Sequence, residues 1–152
     1  MIYRLIIFLV LNFAALAIGG LFTSNGVTSE WYINSAKAPW TPPGWVFGAA
    51  WTTIMICFTI YMSYLWLSFE NKKLLIVLFA VQWILNIAWN PIFFHYHNAA
   101  AGLVVIAGLT ALVGFFLVNY WPELKVKSIL ILPYLIWLLI ATSLNGYIVL
   151  KN

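Results

Sequence analysis

The sequence predicts an all-α integral membrane protein: a bundle of five transmembrane helices, with one long aromatic, proline-rich loop between the first and the second. Three observations predict it. The 152 residues are 65% hydrophobic and only 7% charged, with a mean hydropathy of +1.02. A soluble domain carries about 25% charged residues, and so few charges cannot cover a water-facing surface. Five apolar runs approach or exceed the roughly 20 residues that a helix needs to cross a hydrocarbon core of about 30 Å. None has the period-2 alternation of a barrel strand, and each is about twice as long as one. A single domain, 1–152, is the natural count for this length.

The runs cover residues 5–22, 44–68, 74–94, 99–120 and 128–150. The first, with Arg4 before it and Ala15-Leu16-Ala17 within it, also has the look of a cleaved signal peptide. It is longer than the usual apolar region of about 7–15 residues, and is read as a span. In the third run, Pro91 removes one helical hydrogen bond and frees the carbonyl of Ile87. In the fifth, Pro133 is expected to kink the helix. The connections 69–73, 95–98 and 121–127 are short, so consecutive helices are expected to be antiparallel neighbours.

The formal charge of +4 comes from seven bases and three acids, too sparse for a nucleic-acid surface. Arg4, Lys72, Lys73, Lys125 and Lys127 fall on the N-terminal side of the membrane, against Lys37 and Lys151 on the other. For insertion into a bacterial plasma membrane, that balance favours an N-terminus in the cytoplasm and the long loop outside. The lone Cys57 allows no intrachain disulfide. No phosphate loop, nucleophile triad or acidic pair is present, and His95-x-His97 lacks the further ligands of a metal site. No internal repeat appears, which counts against an inverted-repeat transporter. Ala15 with Gly19, and Ala107 with Ala111, fit either close helix packing or a dimer face. Leu144, Tyr147 and Lys151 match a proposed cholesterol-contact pattern that is weak by itself.

The long connection, 23–43, is the exception among the loops. Its stretch 31–45, including the first residues of the second run, holds three tryptophans, a tyrosine, three prolines, one lysine and no acid. A solvated linker would be rich in Ser, Gly, Lys and Glu. Amphipathic rings prefer an interface or a packed surface instead. Pro39, Pro42 and Pro43 fix φ and remove donors, so the stretch is expected to be stiff and non-helical up to Gly44. It reads as a lid over one mouth of the bundle.

Polar residues inside the spans point to what lies beneath it. Gln82, Asn86 and Asn90 recur at every fourth position and line one face of the third helix, flanked by Trp83 and Trp89. Amides in hydrocarbon need partners, so this face should turn into the bundle. Interhelical glue and a cavity wall both fit it. On the fifth helix Pro133, Trp137, Ala141 and Asn145 recur at the same spacing, and Trp51 lies about two turns beyond Pro43 on the second. Indole walls with a few amides suit a flat, conjugated or steroid-like ligand.

Three blocks resemble the TspO/MBR family, the tryptophan-rich sensory proteins related to the mitochondrial translocator protein, or peripheral benzodiazepine receptor. They are Trp31-Tyr32 with Lys37-Ala38-Pro39-Trp40-Thr41-Pro42-Pro43-Gly44-Trp45 and Trp51; Gln82 to Asn86 with Trp89, Pro91 and Phe93-Phe94; and Leu132-Pro133-Tyr134-Leu135 with Trp137, Ala141, Leu144 and Asn145. Where the family usually has Lys-Pro, this chain has Lys37-Ala38-Pro39. The resemblance implies a five-helix bundle, usually a homodimer, with a cavity under the first loop that binds protoporphyrin IX or haem-like tetrapyrroles, cholesterol-like lipids and benzodiazepine-type drugs. By position it implies a ligand site of Trp31, Tyr32, Pro42, Trp51, Gln82, Asn86, Asn90, Trp137, Ala141 and Asn145, with no cofactor required and no metal.

Three functions fit these residues. The first is a receptor and sensor for tetrapyrroles in the lipid bilayer that also moves them. The second is light-dependent porphyrin degradation, for which the resemblance points to Trp51 and Trp137. The third is a structural or partner-binding membrane protein whose rings only pack and anchor.

Overall fold

The computed structural model describes all residues, 1–152, and contains helices and no strand. Its α-helices are α1 (Ile2–Gly26), α2 (Glu30–Asn34), α3 (Gly44–Ser68), α4 (Lys72–Asn90), α5 (Ala99–Asn119), α6 (Trp121–Leu124) and α7 (Leu132–Lys151). A π turn, Pro91–His95, extends α4, and a 3-10 segment, Lys125–Ile131, joins α6 to α7. Five stretches are long and apolar enough to cross a membrane: Ile2–Gly26, Gly44–Ser68, Lys72–His95, Ala99–Asn119 and Trp121–Lys151. The five-span all-α bundle expected from the apolar runs is the fold.

The spans close into a ring in the order α1, α4, α5, α7, α3 and back to α1. The expectation for short loops holds for α4 with α5 and for α5 with α7, and fails only for α3 with α4. Helices α3 and α4 are joined by residues 69–71 alone, yet α1 stands between them. The face of α1 that admits this is narrow: Asn12, Ala15, Gly19 and Gly26 are its buried residues beside Phe8. A Cβ on Gly19 would fall 2.6 Å from Asn90 Nδ2, and one on Gly26 2.3 Å from Phe94 Cδ1. Ala15 and Gly19 thus serve packing within the chain, whereas Ala107 and Ala111 lie exposed on the outer face of α5. Asn12 Nδ2 donates to Thr59 Oγ1 of α3 at 3.0 Å, and Trp83 Nε1 to the Leu11 carbonyl from α4 at 2.8 Å. Across the ring, α3 and α4 meet through large side chains, with Phe58 and Phe79 stacked at 6.1 Å.

Local chemistry sets where each helix ends. Helix α1 runs four residues past the expected Phe22. Thr23 and Ser24 hydroxyls bond back to the carbonyls of Gly19 and Gly20, and Asn25 to that of Leu21, which satisfies these polar side chains within the helix. Helix α2 corrects the expectation of a non-helical lid. The Ser29 hydroxyl accepts from Tyr32 N–H and Glu30 opens the first turn, which is enough for one short helix before the prolines. Asn71 and Asn98 cap α4 and α5 in the same way. Pro133 does not kink the fifth span. It sits in the first turn of α7, where its missing donor would be unpaired anyway, and the irregular part is the 3-10 segment before it. Pro91 marks the end of α4, after which the wider π turn buries both Phe93 and Phe94.

The two halves of the bundle differ. The N-terminus, the α3–α4 turn and residues 120–131 share one end; residues 27–43, 96–98 and Asn152 share the other. Phe58, Tyr61, Phe79, Phe116 and Tyr134 interlock in the first half, with Phe58 in ring contact with the other four. An internal cavity lies in the second half, under residues 27–43.

Candidate functional site

The lid is docked on the helices. The Trp31 indole stacks on the His97 ring at 4.7 Å and 9° and meets Phe93 edge-on at 5.3 Å. His97 holds a left-handed φ of 52° in the turn between α4 and α5, which brings its ring against the lid. Tyr32 packs on Phe94 at 5.6 Å and on Phe93 at 6.4 Å. Further along, the Ala36 N–H donates to Asn152 Oδ1 at 2.9 Å, and Asn152 Nδ2 returns a bond to the Ala36 carbonyl at 3.3 Å. Trp40 Nε1 donates to Ser143 Oγ on α7 at 3.1 Å, and its ring meets Tyr147 edge-on at 5.6 Å. Ala38 is buried between these latches.

Beneath the lid lies a cavity of about 50 Å³. Rings of Tyr32, Phe47, Trp89, Phe93 and Phe94 form much of its wall, and Ala141 leaves room on the α7 side. Its polar groups are Thr41, Lys37 and Asn145. Asn145, 2% exposed, accepts from Trp89 Nε1 at 2.9 Å and donates to the Ala99 carbonyl at 2.7 Å. One carboxamide therefore ties α4, α5 and α7 together at the cavity. Lys37 brings the only formal charge among the lining residues. Its Nζ donates to the carbonyls of Tyr32 (2.5 Å), Ile33 (3.2 Å) and Ser35 (3.4 Å), and it lies 4.5 Å from the Tyr32 ring centre. Burial pushes the Tyr32 phenol above its ordinary value of 10.0, because the anion would lose its hydration there.

The residues singled out in the sequence divide into three groups. Tyr32, Ala141 and Asn145 line the cavity. Trp31 and Pro42 belong to the lid, with Trp31 behind Phe93 and Pro42 next to the lining Thr41. The others stand deeper or to the side. Trp137 meets Phe47 edge-on at 5.2 Å, so Phe47 separates it from the cavity, and Trp51 meets Tyr134 at 6.1 Å. Gln82 Nε2 donates to Tyr134 Oη at 2.6 Å, while its Oε1 is buried without a partner. Asn86 is buried one turn above. Asn90 turns towards α1, where its Oδ1 accepts from Thr23 Oγ1 at 2.8 Å and its Nδ2 donates to the Asn86 carbonyl at 3.2 Å. The amide stripe is thus part glue, at Gln82 and Asn90.

Lys37, Phe47, Trp89 and the pair Phe93-Phe94 are lining residues that the sequence did not single out as a site. The signal was present for some: Trp89 flanks the amide stripe, and Phe93-Phe94 follow Pro91. Trp137 also borders a second hollow of about 290 Å³ between α3 and α7, almost wholly apolar, with Val46, Ala49 and Pro133. It faces outward from the bundle, where hydrocarbon lies. No three His, Cys, Asp or Glu side chains converge anywhere in the fold.

Comparison with known proteins agrees with this architecture. The family model of the TspO/MBR family matches residues 7–150. The chain is 38% identical over 143 residues to the tryptophan-rich protein TspO of Archaeoglobus fulgidus, covering 91% of this chain and 92% of that one. It is 33% identical over 136 residues to the protein CrtK of Rhodobacter capsulatus, covering 88% and 85%. It is 32% identical over 126 residues to the translocator protein of Homo sapiens, covering 80% and 74%. With five membrane-long helices and a match over nearly its whole length, the chain belongs to the TspO/MBR family and is an integral, multi-pass membrane protein.

Proposed function

We propose that this protein is a membrane receptor and sensor for tetrapyrroles such as protoporphyrin IX, and for related flat apolar ligands including sterols and isoquinoline or benzodiazepine drugs, held beneath the lid. The observation that carries this is the ring-walled cavity with one amide and one ammonium at its edge, under a segment latched by a few exposed bonds. A homodimer with its N-terminus in the cytoplasm, and movement of the ligand through the membrane, belong to the same proposal. The translocator name of the human relative fits it.

The size of the cavity makes a physical demand. About 50 Å³ is far below the roughly 300–1,000 Å³ of ordinary ligand pockets. A tetrapyrrole must lift the lid and displace side chains. The three latch bonds at Ala36, Asn152 and Trp40 lie in exposed positions, and each contributes about 0.5–1.5 kcal/mol. Breaking these bonds costs about 1.5–4.5 kcal/mol, and separating the Trp31, Tyr32 and Trp40 ring contacts adds about as much again, so a ligand of net micromolar affinity, about 8 kcal/mol, must gain that much in addition. The open fraction lowers the apparent affinity by the same factor. Swinging Phe47 aside would bring Trp137 against the ligand. Protoporphyrin IX should quench tryptophan fluorescence saturably, and Ala141→Leu, which fills the cavity, should abolish this while leaving the helical content unchanged. Equal quenching by Ala141→Leu would place the ligand elsewhere.

The proximity of Trp137 to that space favours a second reading, light-dependent degradation of the porphyrin using Trp51 and Trp137. Illuminated complex should then form a new absorbing product faster than porphyrin with free tryptophan. The same rate with Trp51→Phe and Trp137→Phe combined would sink it.

A further inference from the structure

We propose that Lys37 anchors a carboxylate at the mouth of the cavity, so that the preferred ligand is a flat apolar acid rather than a neutral sterol or drug. This rests on the cavity being the ligand site. The other lining residues are apolar, or neutral Tyr, Thr and Asn, so Lys37 supplies the one ionic group a ligand would meet there. Its present acceptors are backbone carbonyls at the end of α2, at 2.5, 3.2 and 3.4 Å. None of them is an anion. The Ser35 contact, the longest, is the one a carboxylate would replace, because a charge-assisted bond is about twice as strong as a neutral one.

Its placement fits the same chemistry. Lys37 belongs to the lid, at the end of the bundle where the spans meet water, while Phe47, Trp89 and Ala141 lie on the helices below. An amphiphile with a ring body and an acid end matches that order: rings inward, acid at the interface. Glu30 is the only acid on the lid, and it opens α2, at the opposite end from the carbonyls that Lys37 binds. An ammonium is a compact point charge, without the fork of a guanidinium, so recognition needs one carboxylate oxygen and no fixed pairing plane.

The test compares protoporphyrin IX with its dimethyl ester, the same ring without free acid, titrated by tryptophan quenching in nanodiscs of neutral lipid. The wild type should bind the diacid about 10- to 100-fold more tightly than the ester. Lys37→Gln should weaken the diacid to the level of the ester and leave the ester unchanged, and Lys37→Arg should keep most of the preference. If Lys37→Gln weakens both ligands equally, Lys37 only holds the lid, and the proposal fails. It fails as well if the wild type binds both ligands alike. Saturable binding of neither ligand by the wild type would instead sink the cavity reading itself, and the anchor with it.

Discussion

Replacing Asn145 by alanine removes two hydrogen bonds at once, the one from Trp89 Nε1 at 2.9 Å and the one to the Ala99 carbonyl at 2.7 Å. Interhelical side-chain bonds in membranes average about 0.6 kcal/mol, with a maximum of about 1.7. Two of them give about 1.2 kcal/mol, and at most about 3.4. The indole N–H left behind is a second cost, since an unpaired buried donor is penalised by about 1–3 kcal/mol in soluble proteins. These overlap rather than add, so the expected loss is about 1–3 kcal/mol. At about 2–4 °C per kcal/mol for a chain of this size, the midpoint should fall by about 2–12 °C. Thermal unfolding in detergent, followed by near-ultraviolet dichroism, reads it. A double-mutant cycle with Trp89→Phe isolates the shared bond, and a coupling of about 0.6–1.7 kcal/mol is expected. A variant as stable as the wild type, with no coupling to Trp89, would refute the assignment of Asn145 as the tie among α4, α5 and α7.

Other outcomes follow from the same geometry. Gly26→Ala places a Cβ 2.3 Å from Phe94 and should cost about 1–3 kcal/mol, whereas Gly20→Ala, inside α1 with nothing within 4 Å, should be neutral to stabilising by up to about 1 kcal/mol; both are read by thermal unfolding. Ser143→Ala removes the acceptor of Trp40 without touching the cavity lining, so porphyrin should associate about 2- to 10-fold faster in stopped flow, given a latch bond of about 0.5–1.5 kcal/mol. Tyr32 keeps its proton when buried at pH values where the undocked phenol loses it. Lid docking should therefore hold below pH 10.0 and weaken as pH rises through the raised value, and Tyr32→Phe should lose this dependence in a dichroism titration.

The five spans were legible because hydrocarbon demands long apolar helices and little else satisfies the backbone there. Their arrangement was legible in part: α4–α5 and α5–α7 are neighbours as their short loops suggest, but the slender face of α1 at Ala15 and Gly19 lets it stand between the backbones of α3 and α4, which meet only through long side chains such as Phe58 and Phe79. Pro133 was visible as a helix disturber, and only the tertiary start of α7 made it harmless. The amide stripe was legible as buried polarity, yet Gln82 and Asn90 have separate partners, Tyr134 and Thr23, which lie far away in sequence. Lys37 was legible as a topology marker and motif residue, and not as a lining group, because a lysine in an interfacial loop reads as a membrane anchor. Its bonds to the carbonyls of Tyr32, Ile33 and Ser35 gather around the end of α2, a short helix in a stretch expected to be non-helical.

If the lid covers the ligand, a structure with protoporphyrin IX bound should hold the macrocycle between the lid and Asn145, with Tyr32 and Phe47 moved from their present contacts and an acid group at Lys37. A porphyrin seated only in the outward hollow between α3 and α7, with Trp31 still stacked on His97 and the space beneath it closed, would contradict it.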